Sequence, residues 1–224
     1  MNDMVKVYTA KTDTLADEKL FSRLYAGMPP YRREKIDRMA FRKDKCLSLG
    51  AGVLLDCALS IEGINGHEIT YIKNQKPVLK NSDICFNLSH SGNIVFCVIA
   101  DTDVGCDVEQ IKDIGMSISS EYFSHDEYKT IAACTDNAGR IDMFFRYWTL
   151  KESFMKATGL GFELELDEFC IVLGEKDISV RQNVDSRRYH FWEYDRNDGY
   201  KYAVCCADQP VLPEEIRELD FRIL

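Results

Sequence analysis

Three acidic side chains suggest the chemistry of this chain. In GCDVE, residues 105–109, Asp107 and Glu109 alternate with Cys106 and Val108. Residues two apart in a strand face the same way, so the two carboxylates share one side, about 7 Å apart. They repel there unless water solvates them or a cation joins them. The third is Glu152, in YWTLKESFMKAT, residues 147–158. Met143, Tyr147, Leu150, Phe154 and Ala157 follow the 3/4 spacing of a buried helix face. Phe145, Trp148, Glu152 and Lys156 line up on roughly the opposite side. A solvated face has no need of aromatics, and a second core has no use for charges. If Asp107, Glu109 and Glu152 converge, they form a hard-oxygen site suited to magnesium, which completes its octahedron with water and phosphate oxygens; manganese is the substitute. Lys151 and Lys156 bracket Glu152 and offer point charges to phosphate. Taken singly, GCDVE also reads as an exposed strand face, and KESFMK as a surface Glu–Lys pair.

Two other stretches hold anion-binding groups. NLSHSGN, residues 87–93, puts hydroxyls, the His90 imidazole and backbone amides in what reads as a turn ahead of an apolar strand. The same residues can also satisfy the turn itself. Residues 32–45 carry seven basic and three acidic side chains, a local basic patch that reads as an anion site or a solvated helix face. Ser124-His-Asp-Glu127 fits a helix capping box.

Elements must bring these groups together. Pro29-Pro30 open a helical stretch running to about Leu59. Strands are expected at 3–9, 67–73, 93–100 and 104–111, with a turn at 74–77 and a tight turn at 101–103. Helices near 117–123, 125–134 and 140–158 then precede strands near 168–173, 178–184, 188–195 and 200–206. The pattern is α+β, with helices and a mostly antiparallel sheet in each of two similar halves that break near 101–104. No internal sequence repeat accompanies the two halves.

Composition bounds the remaining choices. The 224 residues suit one large domain or two smaller ones. A net charge of −9 argues against general nucleic-acid binding. No segment reaches the ~20 apolar residues of a membrane span, and no secretory signal is visible, so a cytoplasmic, non-membrane protein is expected. The nine cysteines, with no C-x-x-C pair, read as reduced thiols, several of them small buried hydrophobes.

The order of the pieces is more specific than any one of them. A basic helix, QKP, FNLSHSG, GCDVE, YFSHDEY and FRYWTLKESFMKATGLGF follow one another between residues 29 and 173. This order resembles the 4′-phosphopantetheinyl transferase superfamily, in its surfactin-synthetase-activating (Sfp) type. The resemblance implies a monomeric pseudodimer of two α+β lobes, 1–102 and 103–224, with the active site in the cleft between them. It implies transfer of the 4′-phosphopantetheine arm of coenzyme A to a serine of an apo acyl or peptidyl carrier protein, with release of 3′,5′-ADP. Asp107, Glu109 and Glu152 would hold magnesium, and Lys151 and Lys156 the pyrophosphate. Ser89 and His90 would contact a phosphate of coenzyme A. Arg32, Lys35 and Ser48 would grip its 3′-phosphate, and Lys76-Pro77 would lie along the adenine. Glu152, Lys156 and His90 are the expected catalytic groups, with Glu109 acting through water as the alternative base. Gln75 and Leu47 depart from the family pattern, which has Gly and commonly Arg there. The carrier is expected to dock near 112–125 through Lys112 and exposed Ile114, Met116 and Ile118. Rival readings are a magnesium-dependent nucleotide phosphohydrolase and a non-catalytic coenzyme A-binding module.

Overall fold

The run Ile94–Ala100 is apolar at all seven positions, and all seven are buried. A strand so uniformly apolar must be covered on both faces, and that requirement organises the molecule. The structure is a computed structural model that describes residues 5–114, 122–208 and 215–224. Its strands are β1 (Val5–Lys11), β2 (Ile69–Tyr71), β3 (Pro77–Leu79), β4 (Cys85–Ser91), β5 (Ile94–Ala100) and β6 (Val104–Gln110), then β7 (Cys170–Leu173), β8 (Ile178–Arg181), β9 (Tyr189–Tyr194), β10 (Tyr200–Ala207) and β11 (Arg217–Leu219). Its helices are α1 (Glu18–Gly27), α2 (Pro30–Asp37), α3 (Arg42–Ile61), α4 (His125–Ala132) and α5 (Asn137–Thr158).

Two sheets result. One has the order β11-β1-β5-β4, antiparallel except for the parallel β1–β11 pair. The other is antiparallel, in the order β6-β10-β9. The α3 helix covers the outer face of the first sheet, where Leu49, Leu54 and Leu59 share a core with Tyr8, Val95 and Cys97. Helix α5 covers the second, packing Leu150, Phe154 and Ala157 with Phe191, Ala203 and Cys205. The inner faces meet in a third core, which joins Val7, Phe96 and Val98 to Cys106, Val108 and Val204. Each large side chain so buried contributes about 1.5–3 kcal/mol. The α+β character expected from the pattern is the one observed.

Three expectations need correction. The helix expected from Pro29 to Leu59 breaks at Met39–Phe41 into α2 and α3. A single straight helix would carry the basic run past the sheet; the break lets α2 pack on α3, burying Ile36 and Arg32. Gly52 makes room, since a Cβ there would lie 3.2 Å from Arg32 Nε. Second, residues 87–91 are not a turn but the greater part of strand β4. The turn to β5 is Gly92-Asn93, with Gly92 at φ +60° and no space for a Cβ beneath Tyr200. Third, residues 103–224 do not form one lobe. Strand β11 returns to pair with β1, and Phe221 is buried in the first core, because the outer edge of β1 offers unpaired backbone groups and an apolar slot.

No helix among the described residues is long and apolar enough to cross a membrane. All nine cysteines are free thiols.

Candidate active site between the two sheets

Helix α5 sets the geometry. Its N-cap Asp136 accepts from the Gly139 amide at 2.7 Å, and Gly159 ends it in the left-handed conformation at φ +71°. It lies directly on β6 because Gly105 has no side chain: a Cβ there would stand 2.0 Å from Ser153 O and 2.4 Å from Ala157 N. The glycine of GCDVE thus brings Glu152 and Lys156 down toward the face that carries Asp107 and Glu109.

Asp107, Glu109, Glu152 and Lys156 line one pocket of about 330 Å³ with Trp148 and His90. Lys156 Nζ donates to Asp107 Oδ1 at 2.6 Å and to Ser89 Oγ at 3.3 Å. Burial pulls the Lys156 ammonium down, but Asp107 and Glu152 outweigh it and hold its pKa above the ordinary lysine value. Desolvation raises Glu152, with Asp107 and Glu109 adding to it and Lys156 opposing. Desolvation likewise raises Glu109, against the hydrogen bond from Ser91. Asp107 Oδ2 is buried and accepts no hydrogen bond among the described residues. Among the described residues, no three acidic, histidine or cysteine side chains stand close enough to form a ready-made metal cluster. The donor set nevertheless fits a hard divalent cation: three carboxylates on one pocket, one presenting an unused buried oxygen.

Trp148 stacks on Phe144 at 5.8 Å and meets Tyr122 edge-on at 6.3 Å, so its ring forms the pocket wall. Phe145, expected beside it, is instead buried in the helix–sheet core, since α5 is covered over more than half its circumference.

His90, Lys35 and Arg32 follow one another outward from the pocket. His90 is exposed, and its pKa is held down by desolvation and by the charges of Lys156 and Lys35. Lys35 is lowered by desolvation and by Arg32. Arg32 Nε and Ser48 Oγ are both buried without hydrogen-bond partners among the described residues, and Ser48 lies one turn from Gly52, against which Arg32 packs. The α2–α3 packing thus gathers the expected 3′-phosphate residues with polar atoms in reserve.

Lys151 is not among the cleft cations, and its expected phosphate role is corrected. It sits on the far side of α5, its side chain 0% exposed, and donates to Glu127 Oε1 and Oε2 at 2.7 and 2.8 Å and to Phe169 O at 2.8 Å. Glu127 completes the capping box with Ser124 and also accepts from the Ile171 amide at 2.7 Å. Two charges with every donor and acceptor satisfied form a structural node between α4, α5 and β7.

Ser89 lines the same pocket, where its hydroxyl donates to Asp107 Oδ1 at 2.7 Å. Lys76 borders a second pocket, about 240 Å³, with Pro77, Leu88 and Met155. Its ammonium donates to Lys156 O at 2.7 Å and Ala157 O at 3.2 Å, where the helix dipole favours a cation. Asn74 adds hydrogen bonds to Gly159 O and Leu160 O, and both Asn74 and Gln75 have positive φ. This clasp is not visible in the sequence, where residues 74–77 read only as a turn. Of the expected carrier-docking residues, Lys112 is exposed, Ile114 is partly buried against the second core, and Met116 and Ile118 lie outside the described residues, as does most of the helix expected at 117–123.

The comparisons agree with the motif order. A family model described as the 4′-phosphopantetheinyl transferase superfamily matches residues 103–205. The chain is 30% identical over 225 residues to 4′-phosphopantetheinyl transferase Sfp of Bacillus subtilis (strain 168), an alignment covering 98% of this chain and 100% of the relative. It is 29% identical over 228 residues to 4′-phosphopantetheinyl transferase ffp of Bacillus subtilis, at 98% and 100% coverage. It is 34% identical over 211 residues to the human L-aminoadipate-semialdehyde dehydrogenase-phosphopantetheinyl transferase, at 82% and 68% coverage. The chain therefore belongs to the 4′-phosphopantetheinyl transferase superfamily. Within it, the likeness over nearly the whole chain is to the Sfp type.

Proposed function

We propose that this enzyme moves the 4′-phosphopantetheine arm of coenzyme A onto a serine hydroxyl of an apo acyl or peptidyl carrier protein. The observation that carries the reading is the shared pocket: Asp107 and Glu109 from β6 face Glu152 and Lys156 from α5, with the His90 imidazole beside them and Lys35 and Arg32 carrying positive charge further out. A pyrophosphate fits such a pocket, and Lys35 and Arg32 lead to a further phosphate. Asp107, Glu109 and Glu152 would hold magnesium or manganese. When bound, the ion neutralises the pyrophosphate and polarises its phosphoryl oxygens.

The chain's own residues do the rest. Lys156 exchanges Asp107 for a phosphate oxygen and stabilises charge as it develops. Glu152, held above the ordinary glutamate value by desolvation, accepts the proton of the carrier serine. The serine oxygen forms a bond to the β-phosphorus, the bond from that phosphorus to the bridging oxygen breaks, and 3′,5′-ADP leaves with the electron pair. Glu109 through a water is the alternative base. We read the two helix-on-sheet halves as a pseudodimer dividing near residue 102, with β11 returned across the division, and the protein as a cytoplasmic monomer.

Incubation with coenzyme A, magnesium and an apo carrier, followed by intact mass, tests this. The carrier gains one phosphopantetheine group; EDTA stops the gain and added magnesium restores it. Release of 3′,5′-ADP with no carrier modification would replace transfer with hydrolysis.

A further inference from the structure

Strands β4 and β6 are edge strands of different sheets, lying side by side with no backbone ladder between them. An exposed row of amides along β6 would be costly in a buried junction. Polar side chains from alternate positions of β4 fill that role. Asn87 Oδ1 accepts from the Cys106 amide at 3.0 Å, Ser89 Oγ from Val108 at 3.4 Å, and Ser91 Oγ from Gln110 at 3.1 Å. The period-two match, 87-89-91 against 106-108-110, makes this a ladder of side chains in place of a strand.

The two serines do a second thing that Asn87 does not. Each hydroxyl accepts from one amide and passes its own proton to the carboxylate just before it: Ser89 to Asp107 Oδ1 at 2.7 Å, Ser91 to Glu109 Oε2 at 2.6 Å. Glu109 is only partly buried, and no other hydrogen bond to its carboxylate is present among the described residues. With the Gln110 amide on its acceptor side, the Ser91 hydroxyl has its proton free for Glu109, at 2.6 Å. We propose that Ser91 is a positioning residue for the transfer reaction, holding one oxygen of Glu109 so that the other faces the pocket shared with Asp107 and Glu152. This inference rests on the divalent-ion reading of that pocket. The β4–β6 ladder therefore couples the join between the sheets to the aim of the carboxylates.

The test measures Mn²⁺ binding by electron paramagnetic resonance, with the metal alone, beside kcat and KM and a thermal melt. Removing a group that orients a metal-binding carboxylate costs about 10–100-fold in metal affinity or activity. Ser91→Ala is expected to weaken Mn²⁺ binding and lower kcat by such factors with KM for coenzyme A little changed. Ser91→Thr, which keeps the hydroxyl, restores both, and Ser91→Val, of the same shape without it, does not. That matched pair gives the comparison even if Ser91→Ala fails to fold. Asn87→Ala breaks the same ladder without touching a carboxylate, and is expected to lower the melting temperature while leaving Mn²⁺ affinity intact. The proposal is overturned if Ser91→Ala and Ser91→Val bind Mn²⁺ like the wild type, or if Asn87→Ala loses as much affinity as they do. A wild-type protein that binds no divalent ion at all would instead remove the metal reading, and this inference with it.

Discussion

Glu152 is the residue at which stability and activity pull apart. Its carboxylate is desolvated and shares a pocket with Asp107 and Glu109, so its folded-state pKa is raised above the unfolded value. A raised carboxylate binds more protons in the folded state. Its stability contribution is therefore largest below the unfolded value and is lost as pH rises through the folded one. At neutral pH Glu152 is a cost to the metal-free protein. Glu152→Gln is expected to raise the melting temperature of the metal-free enzyme at pH 7 and to lower transfer by about 10²-fold or more, the scale of a lost general base. A melt and a carrier-modification assay on the same preparation check both. If Glu152→Gln keeps its turnover while Glu109→Gln loses it, Glu109 is the base. The three carboxylates were legible in the sequence because their spacing in a strand and a helix fixes their faces. The role of Lys151 was not: it stands four residues after Tyr147 and three before Phe154, beside the buried face, but spacing does not show that Glu127 waits there to pair with it.

Helix α5 works as an element because two features hold it in place, one on each side. On the pocket side, the missing side chain at Gly105 admits the helix backbone to β6. Gly105→Ala forces the two apart, with an expected cost above the usual 1–3 kcal/mol of overpacking. Displacing Glu152 from Asp107 by about 1 Å would lower transfer by about 10²-fold, measured against the folded fraction from urea titration. On the far side, the Lys151–Glu127 pair is sealed with the carbonyl of Phe169. Lys151→Met leaves Glu127 charged and buried, and is expected to cost about 3–5 kcal/mol in urea unfolding. The helix could be read from its periodicity, and the Ser124 cap of α4 from its capping box, while the Asp136 and Gly159 caps of α5 went unread. The strand character of NLSHS was missed because Ser, Asn and Gly signal turns, although the polar alternation at 87, 89 and 91 was there to find. The break at Met39–Phe41 had no Pro or Gly to announce it.

Across the whole molecule the halves are joined by the apolar core between the sheets, the side-chain ladder of β4 on β6, the clasp of residues 73–76 on the end of α5 and the return of β11 to β1. Lys73 adds an exposed ion pair with Glu163 at 2.6 Å, which contributes little in water. Lys76 is the stronger link, since it charges the hydrogen bonds to two helix carbonyls. Lys76→Met is expected to cost about 1.5–3 kcal/mol and to speed amide exchange over residues 156–161, read by mass spectrometry. None of these joins follows from local pattern, because each pairs residues far apart in sequence. The return of β11 to β1 is the farthest such pairing, and it has a consequence for synthesis. As the chain leaves the ribosome, the first sheet exposes one raw margin until residues 217–221 emerge, more than a hundred residues after its other three strands. The nascent protein must guard that margin against neighbours throughout, and truncating residues 217–224 would leave it open for good.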